Sequence, residues 1–202
     1  AMEFLKGKDL VDCTKAGQLL PTGQVLAIIS RVALALDYAH KQGVVHRDIK
    51  PANIMYEAAS NSVKVTDFGI ARVTDSSKTK TGLVLGTPSF MSPEQIAGKP
   101  VDGRSDLYSL GVTLYQMLTG RLPFEGESLT QLMYKITNAE PNDLYQFRQD
   151  LPPAFGHVIL TALAKKPAQR YQTGAELAAA LEGLQTAPSN APAAPSPDIS
   201  FD

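Results

Sequence analysis

His46-Arg47-Asp48-Ile49-Lys50-Pro51-Ala52-Asn53 decides how this 202-residue chain is read, together with Asp67-Phe68-Gly69, which begins fourteen residues after Asn53, and Ser92-Pro93-Glu94 further on. Taken singly, none of these stretches says much. A lone aspartate is more often a helix cap or an ion-pair partner than a working acid or base, and a lone Asp-Phe-Gly is more often a turn. Three such signatures in one order carry far more information than any one of them. Between the last two, residues 71–93 are rich in Ser, Thr, Lys and Gly and show no periodicity. An ordered domain seldom keeps so long a connection without a use for it, so this segment reads as a functional loop.

Outward from these motifs, the pattern is mostly helical. Upstream, apolar residues recur at Val25, Ile28, Ile29, Val32, Leu36 and Ala39, the spacing of one helix face, with Thr22 expected as N-cap and Gly43 as the stop. Two short apolar runs, Ile54 to Tyr56 and Val63 to Thr66, flank a small and polar stretch and predict a β-hairpin. Over residues 106–118 Leu107, Leu110, Val112, Leu114, Met117 and Leu118 go round the whole helix, which places it in the middle of a core. Further helices are predicted over 128–138, 153–165 and 173–184, each opened by a cap or a proline. After Gln185, Pro188, Pro192, Pro195 and Pro197 alternate with Ala and Ser, a composition that cannot bury enough apolar surface to fold. The expected organisation is therefore one mainly α domain over 2–184, a helical bundle around a central buried helix with a small hairpin, and a Pro/Ala-rich linker over 185–202.

Composition excludes several function classes. The chain is 44% apolar and 19% charged, the mixture of a globular domain, and at this length it can bury roughly 70% of its unfolded surface without staples. Cys13 is the only cysteine, so no disulfide closes within the chain, which favours a reducing compartment and hence the cytoplasm. A formal net charge of -1 gives no field that would draw in nucleic acid or an anionic membrane. No apolar stretch approaches the roughly 20 residues of a membrane-spanning helix. Ala1 ahead of Met2 reads as the remnant of a tag, and no secretory leader opens the chain.

The three motifs resemble the signature set of protein kinases, H-R-D-x-x-x-x-N, D-F-G and A-P-E, with Ser92 where alanine is usual. The fuller pattern is similar to the bacterial, eukaryotic-like (Hanks-type) serine/threonine kinases. The resemblance covers nearly all of 2–184 and implies the larger, C-terminal lobe of a kinase fold with the hairpin at the cleft. It implies ATP and Mg2+ as the cofactors, with Mn2+ as an alternative, and transfer of phosphate to Ser or Thr hydroxyls of proteins. By the same resemblance, Asp48 accepts or orients the proton of the substrate hydroxyl, and Lys50 faces the transferred phosphate as a point charge. Thr87 is a partner of Asp48 and Lys50. Asn53 and Asp67 are hard oxygen ligands for magnesium, which takes few protein ligands beside substrate phosphates. Lys50, Asn53 and Asp67 thus also contact the nucleotide, with the backbone at Glu3 and Leu5 and the floor at Met55 meeting its base.

Other positions carry regulatory or structural expectations through the resemblance. Arg47 is the arginine that senses phosphorylation of the activation loop, and Thr79 and Thr81 are the expected phosphosites, since a phosphate adds about −1.5 to −2 charge and three acceptors for such an arginine. His46 and Phe68 belong to an internal stack, Glu94 pairs with Arg170, and Asp106 anchors the catalytic-loop backbone from the central helix. Lys166 departs from the family, where aspartate is common. No glycine-rich Gly-x-Gly-x-x-Gly and no strand lysine occur before His46; Met2 to Leu10 resemble the inter-lobe hinge and the short helix after it. The smaller lobe is accordingly expected to lie before residue 1, and the chain alone is expected to be inactive. Self-association through the uncovered cleft or the activation loop is expected, and a parent protein tethered to a membrane by sequence after residue 202 is compatible with this reading. A docking module without catalysis has no physical need of Asp48, Lys50, Asn53 and Asp67 together. A small-molecule phosphotransferase also uses an aspartate and a metal pair, but against it stand the long threonine-bearing loop, Ser92-Pro93-Glu94 and the helices beyond, which resemble a protein-substrate platform.

Overall fold

Helix α3 (Gly103–Thr119) organises the molecule because it is buried on almost every side, its apolar side chains lying all round its circumference. Leu107, Tyr108, Leu110, Val112, Leu114, Tyr115, Met117 and Leu118 are at most 1% exposed. The surrounding architecture comes from a computed structural model that describes residues 7–68 and 88–185. Asp102 caps α3 by accepting the Arg104 amide, and Gly120 ends it in the left-handed conformation at φ 70°. The helix is thus longer at both ends than its apolar run.

Helix α1 (Thr22–Lys41) lays Val25, Ile28, Ile29, Val32 and Leu36 against α3 and α6 (Gly174–Gln185). Its start differs from the expectation in one respect. Pro21, with no side-chain bond, is the N-cap, and Thr22 is already helical. The Thr22 hydroxyl accepts from Arg148 Nη2 at 2.8 Å, a tertiary bond that replaces the local cap. Gly43, at φ 75°, does terminate the chain's helical course.

The hairpin forms between β2 (Ile54–Glu57) and β3 (Ser62–Val65), antiparallel with Ile54 opposite Val65 and Glu57 opposite Ser62. It gains a third strand, β1 (Lys8–Asp9), which pairs with β2 through Tyr56 and Met55. The expected helix-like reading of these first residues is corrected: Lys8 and Asp9 are strand, followed by a 3-10 turn at Asp12–Thr14. Gly7 makes the approach possible. Its φ is 110°, and a Cβ there would stand 2.7 Å from the Tyr56 carbonyl oxygen.

A four-residue helix, α2 (Pro93–Ile96), follows Ser92, and α4 (Leu129–Asn138) is capped by the Ser128 hydroxyl. Helix α5 (Pro153–Ala162) ends three residues earlier than its pattern suggests. The carbonyls of Ala164 and Lys165 are taken by the Arg170 side chain instead of by further helical amides. Lys165 in turn donates to the Ile136 carbonyl at the end of α4 and stands 4.0 Å over the Phe124 ring, which fastens α4 to the body. Burial pushes the Lys165 ammonium down to about 8. Among the described residues, no helix is long and apolar enough to cross a membrane.

Candidate active site

The segment from His46 to Asn53 is held as a loop by two buried groups, one polar and one apolar. Asp106, 0% exposed near the start of α3, accepts the His46 amide through Oδ2 at 2.8 Å and the Arg47 amide through Oδ1 at 2.7 Å. The same Oδ2 meets His40 Nε2 at 2.8 Å. Ile49, wholly buried, roots the middle of the loop in the core, and a 3-10 turn at Pro51–Asn53 passes the chain into β2. Arg47 takes φ 68°, a left-handed backbone that residues with a Cβ disfavour, so the contacts on either side of it must hold it there.

Within this frame three predicted residues meet. Lys50 Nζ lies 2.8 Å from Asp48 Oδ2, and both side chains are one-third exposed. Asn53 Nδ2 donates to the Asp48 carbonyl at 2.7 Å and to Asp48 Oδ2 at 3.2 Å. Among the described residues, Oδ2 of Asp48 is therefore occupied by two donors and Oδ1 by none, so Oδ1 is the oxygen that could receive a hydroxyl proton. The Asn53 amide spends its N–H groups on Asp48, so its carbonyl oxygen is the end that could meet a cation.

Asp67 is exposed and left-handed at φ 56°, just beyond β3. Its backbone is tied to the loop by its neighbour: the Thr66 amide donates to the Asn53 carbonyl at 2.9 Å. His46 adds a second tie. Its Nε2 faces the Thr66 carbonyl at 2.8 Å and so donates, while Nδ1 faces the Asp48 amide at 3.2 Å and so accepts. The ring also lies 4.7 Å from the Phe68 ring, tilted by 51°. His46 is thus more than a packing residue, since its imidazole bridges the segments that carry Asp48 and Asp67. Among the described residues no group of three or more His, Cys, Asp or Glu gathers as a metal cluster. One carboxylate with one amide oxygen nevertheless suits magnesium, whose remaining positions go to water and phosphate.

Behind the loop, Glu94 of α2 and Arg170 form a two-pronged pair, 2.7 Å and 2.8 Å between their atoms, with the residues 7% and 3% exposed. Ser105 also donates to Glu94. Burial pushes the Glu94 carboxyl up, but the Arg170 guanidinium and the Ser105 hydroxyl outweigh it and hold the group below its ordinary range. Arg170 further donates to three backbone carbonyls and lies over the Tyr108 ring.

Met55 sits in the central strand β2, between Asp9 and Lys64. Glu3, Leu5, Thr79, Thr81 and Thr87 lie outside the described residues. Arg47 is half-buried, and its Nε is buried with no hydrogen-bond partner among the described residues. Sequence reasoning passes over His40, Ser105 and Gln95. Nothing local marks the first two, but Ser92-x-x-Gln95 is a capping-box pattern open to be read in the sequence.

The family model of the protein kinase domain matches residues 1–181 of this chain. A probable serine/threonine-protein kinase of Corynebacterium efficiens is 46% identical over 190 residues, which is 91% of this chain and 29% of that protein. The serine/threonine-protein kinase PknB of Mycobacterium leprae is 44% identical over 182 residues, and the serine/threonine-protein kinase pkn3 of Myxococcus xanthus is 44% identical over 194. The chain spans only 29% and 36% of those two relatives. Among solved structures, the PknI kinase domain of Mycobacterium tuberculosis superposes with a TM-score of 0.71 at 34% identity, covering 91% of this chain and 64% of that one. A structure of Rad53 residues 1–466 in complex with AMP-PNP gives a TM-score of 0.73 at 30% identity over 88% of this chain and 44% of that one.

Proposed function

Since the chain belongs to the protein kinase domain family, we propose that it carries the catalytic and substrate-holding part of an ATP-dependent serine/threonine protein kinase. The observation that supports this most is the junction of Asp48, Lys50 and Asn53 on a loop whose amides are pinned by Asp106. Phosphoryl transfer asks the protein for placement and charge neutralisation more than for covalent chemistry, and these residues supply both. Asp48 Oδ1 receives the hydrogen bond of the incoming Ser or Thr hydroxyl and aims its oxygen. Lys50, which neutralises Asp48 at rest, offers its ammonium to the phosphate. The Asn53 amide oxygen and the Asp67 carboxylate would hold magnesium, which when bound neutralises the charge of the nucleotide phosphates. A complete set of this kind favours catalysis over a docking module, which has no physical need of it.

Residues 2–184 correspond in this reading to the larger lobe of the family's fold and 185–202 to a linker. The 202 residues contain no glycine-rich loop to cover the phosphates, so the isolated chain transfers phosphate at or near background, and activity belongs to the full-length protein. The test is Asp48→Asn in that full-length protein. Transfer to a serine- or threonine-containing peptide should fall by a factor on the order of 10²–10⁴, the usual worth of a positioned base, with an unchanged thermal melt. Turnover by the variant within a few-fold of the original would rule out the role given to Asp48.

A further inference from the structure

Gln95 lies on α2, one residue after Glu94, and its side chain is used at both ends. Its Oε1 accepts the Ser92 amide at 2.9 Å, and its Nε2 donates to the Arg47 carbonyl at 2.9 Å. The assignment of the two amide ends is fixed by the partners, because an N–H can face only the oxygen and a carbonyl only the nitrogen. The first bond belongs to the capping box that starts α2, completed by the Gln95 amide donating to the Ser92 hydroxyl. Capping explains why a polar residue stands there. It does not account for the second bond, which crosses to a different segment.

The place where that bond lands is what matters. The Arg47 carbonyl belongs to the peptide plane joining Arg47 to Asp48, and the rotation of this plane sets the direction in which the Asp48 side chain leaves the backbone. Arg47 is left-handed, at φ 68°. Asp106 fixes the preceding amides of His46 and Arg47, and its hold stops short of the plane that follows. Among the described residues that plane has two holders: His46 Nδ1 on its N–H, at a long 3.2 Å, and Gln95 on its carbonyl, at 2.9 Å.

We propose that Gln95 is a positioning residue for the transfer reaction: its amide fastens the peptide between Arg47 and Asp48 to the N-terminus of α2 and so sets the aim of the Asp48 carboxylate. The proposal rests on the kinase reading above and deepens it. It also links two parts of the site physically. A displacement of α2, the helix that carries Glu94, pulls on the backbone of the catalytic loop through one side chain.

The capping and positioning roles separate cleanly by substitution. Gln95→Glu keeps an acceptor for the Ser92 amide, since capping boxes use Glu and Gln alike, but it has no N–H for the Arg47 carbonyl and sets a carboxylate oxygen against it. Gln95→Met loses both contacts at similar size. In the full-length protein, Gln95→Glu should lower kcat about tenfold, the effect of one lost hydrogen bond in a positioned site, and leave the KM for peptide within about twofold. In the same variant, amide hydrogen exchange at His46, Arg47 and Asp48 should quicken about tenfold, while Ile96 in α2 and its C-cap Ala97, whose amides bond to the Ser92 and Pro93 carbonyls, keep their protection. Gln95→Met should show the same kcat loss and, in addition, faster exchange in α2.

If Gln95→Glu matches the original protein in kcat and in exchange at residues 46–48, Gln95 only caps α2 and the proposal is overturned. A fall in kcat without faster exchange at residues 46–48 overturns it equally, since the effect would then travel by another route. Absence of transfer by the unsubstituted full-length protein would bring down the kinase reading itself and the positioning role with it, an outcome separable from the other two because the exchange measurement reports the tether regardless of turnover.

Discussion

Arg170 is the most heavily committed side chain among the described residues: its guanidinium holds both Glu94 oxygens, the carbonyls of Arg104, Ala164 and Lys165, and the face of Tyr108. A buried ion pair is worth little by comparison with a well-packed apolar pair, yet breaking one side of it strands the other charge. Arg170→Met should therefore cost about 3–5 kcal/mol of unfolding free energy, measured by urea denaturation of the chain. Replacing Glu94 as well, in Glu94→Leu/Arg170→Met, should give back part of that loss. A single variant within about 1 kcal/mol of the original would show that the pair is solvated in solution and that the stranded-charge argument does not apply. The pairing partner across 76 positions was legible only because the motif set resembles a family; no local pattern in Lys166 to Tyr171 singles out its arginine. Gln95 shows the opposite case. Its cap was written in the spacing from Ser92, but its bond to Arg47 depends on tertiary approach and left no trace in the sequence.

Helices α1 and α6 cross closely because a glycine sits where they meet. A Cβ on Gly174 would run into the Ala33 carbonyl oxygen and stand 2.9 Å from the Asp37 Cβ, both on α1. A Cβ on Gly183, near the other end of α6, would meet nothing within 4 Å. The same substitution should thus act with opposite sign on one helix. Gly174→Ala must push α6 off α1 and should cost about 1–3 kcal/mol, the range for overpacking. Gly183→Ala meets no obstacle and should stabilise by about 0.5–1 kcal/mol through helix propensity. Thermal melts of the two variants decide it, and a neutral or stabilising Gly174→Ala would mean that the crossing can relax. The apolar faces of these helices were readable because burial repeats with the helical period: Val25, Ile28, Ile29, Val32 and Leu36 are all at most 1% exposed. Helix ends were less readable. Thr22 looked like a cap but its hydroxyl serves Arg148, and α5 stops early because Arg170 takes the next carbonyls. Strand β1 was missed since both its residues are exposed and its existence depends on the partner strand. An edge strand of two residues has no alternation to detect.

Four carboxylates share one electrostatic property, and two of them, Asp37 and Glu94, join parts of the chain that are distant in sequence. Asp37 on α1 pairs with Lys41 at 2.7 Å and accepts the Ala175 amide at 3.3 Å, capping α6 from outside. Its bond to Lys41 lowers its pKa from the ordinary 3.8, against burial. Glu94, joining α2 to Arg170, is likewise lowered from 4.5, and Asp102 and Asp150 are lowered by Arg104 and Arg148. The last two side chains are 55% and 63% exposed, so solvent and salt screen them and their share is small. Asp37 and Glu94, 10% and 7% exposed at the side chain, carry the effect. In the unfolded chain these carboxyls titrate at their ordinary values, and in the folded protein they do so at lower pH. Below the ordinary values the unfolded state therefore binds more protons, and stability declines as pH falls. Above that window all four are ionised in both states, and their contribution is complete. The urea midpoint of the chain should accordingly stay level from about pH 7 to about pH 5.5 and drop from about pH 4.5 downward. In Glu94→Gln the midpoint should begin lower, because Arg170 is stranded, and fall less steeply, because Asp37 is then left to carry the buried share of the slope. A midpoint that holds constant down to about pH 3.5 would mean that these carboxylates do not join the structure in solution. Added salt offers an internal control: it should flatten the part of the slope that Asp102, Asp150 and the Asp37–Lys41 pair supply, since the Lys41 side chain is 68% exposed, and leave the part due to Glu94, whose pair with Arg170 water and ions reach poorly.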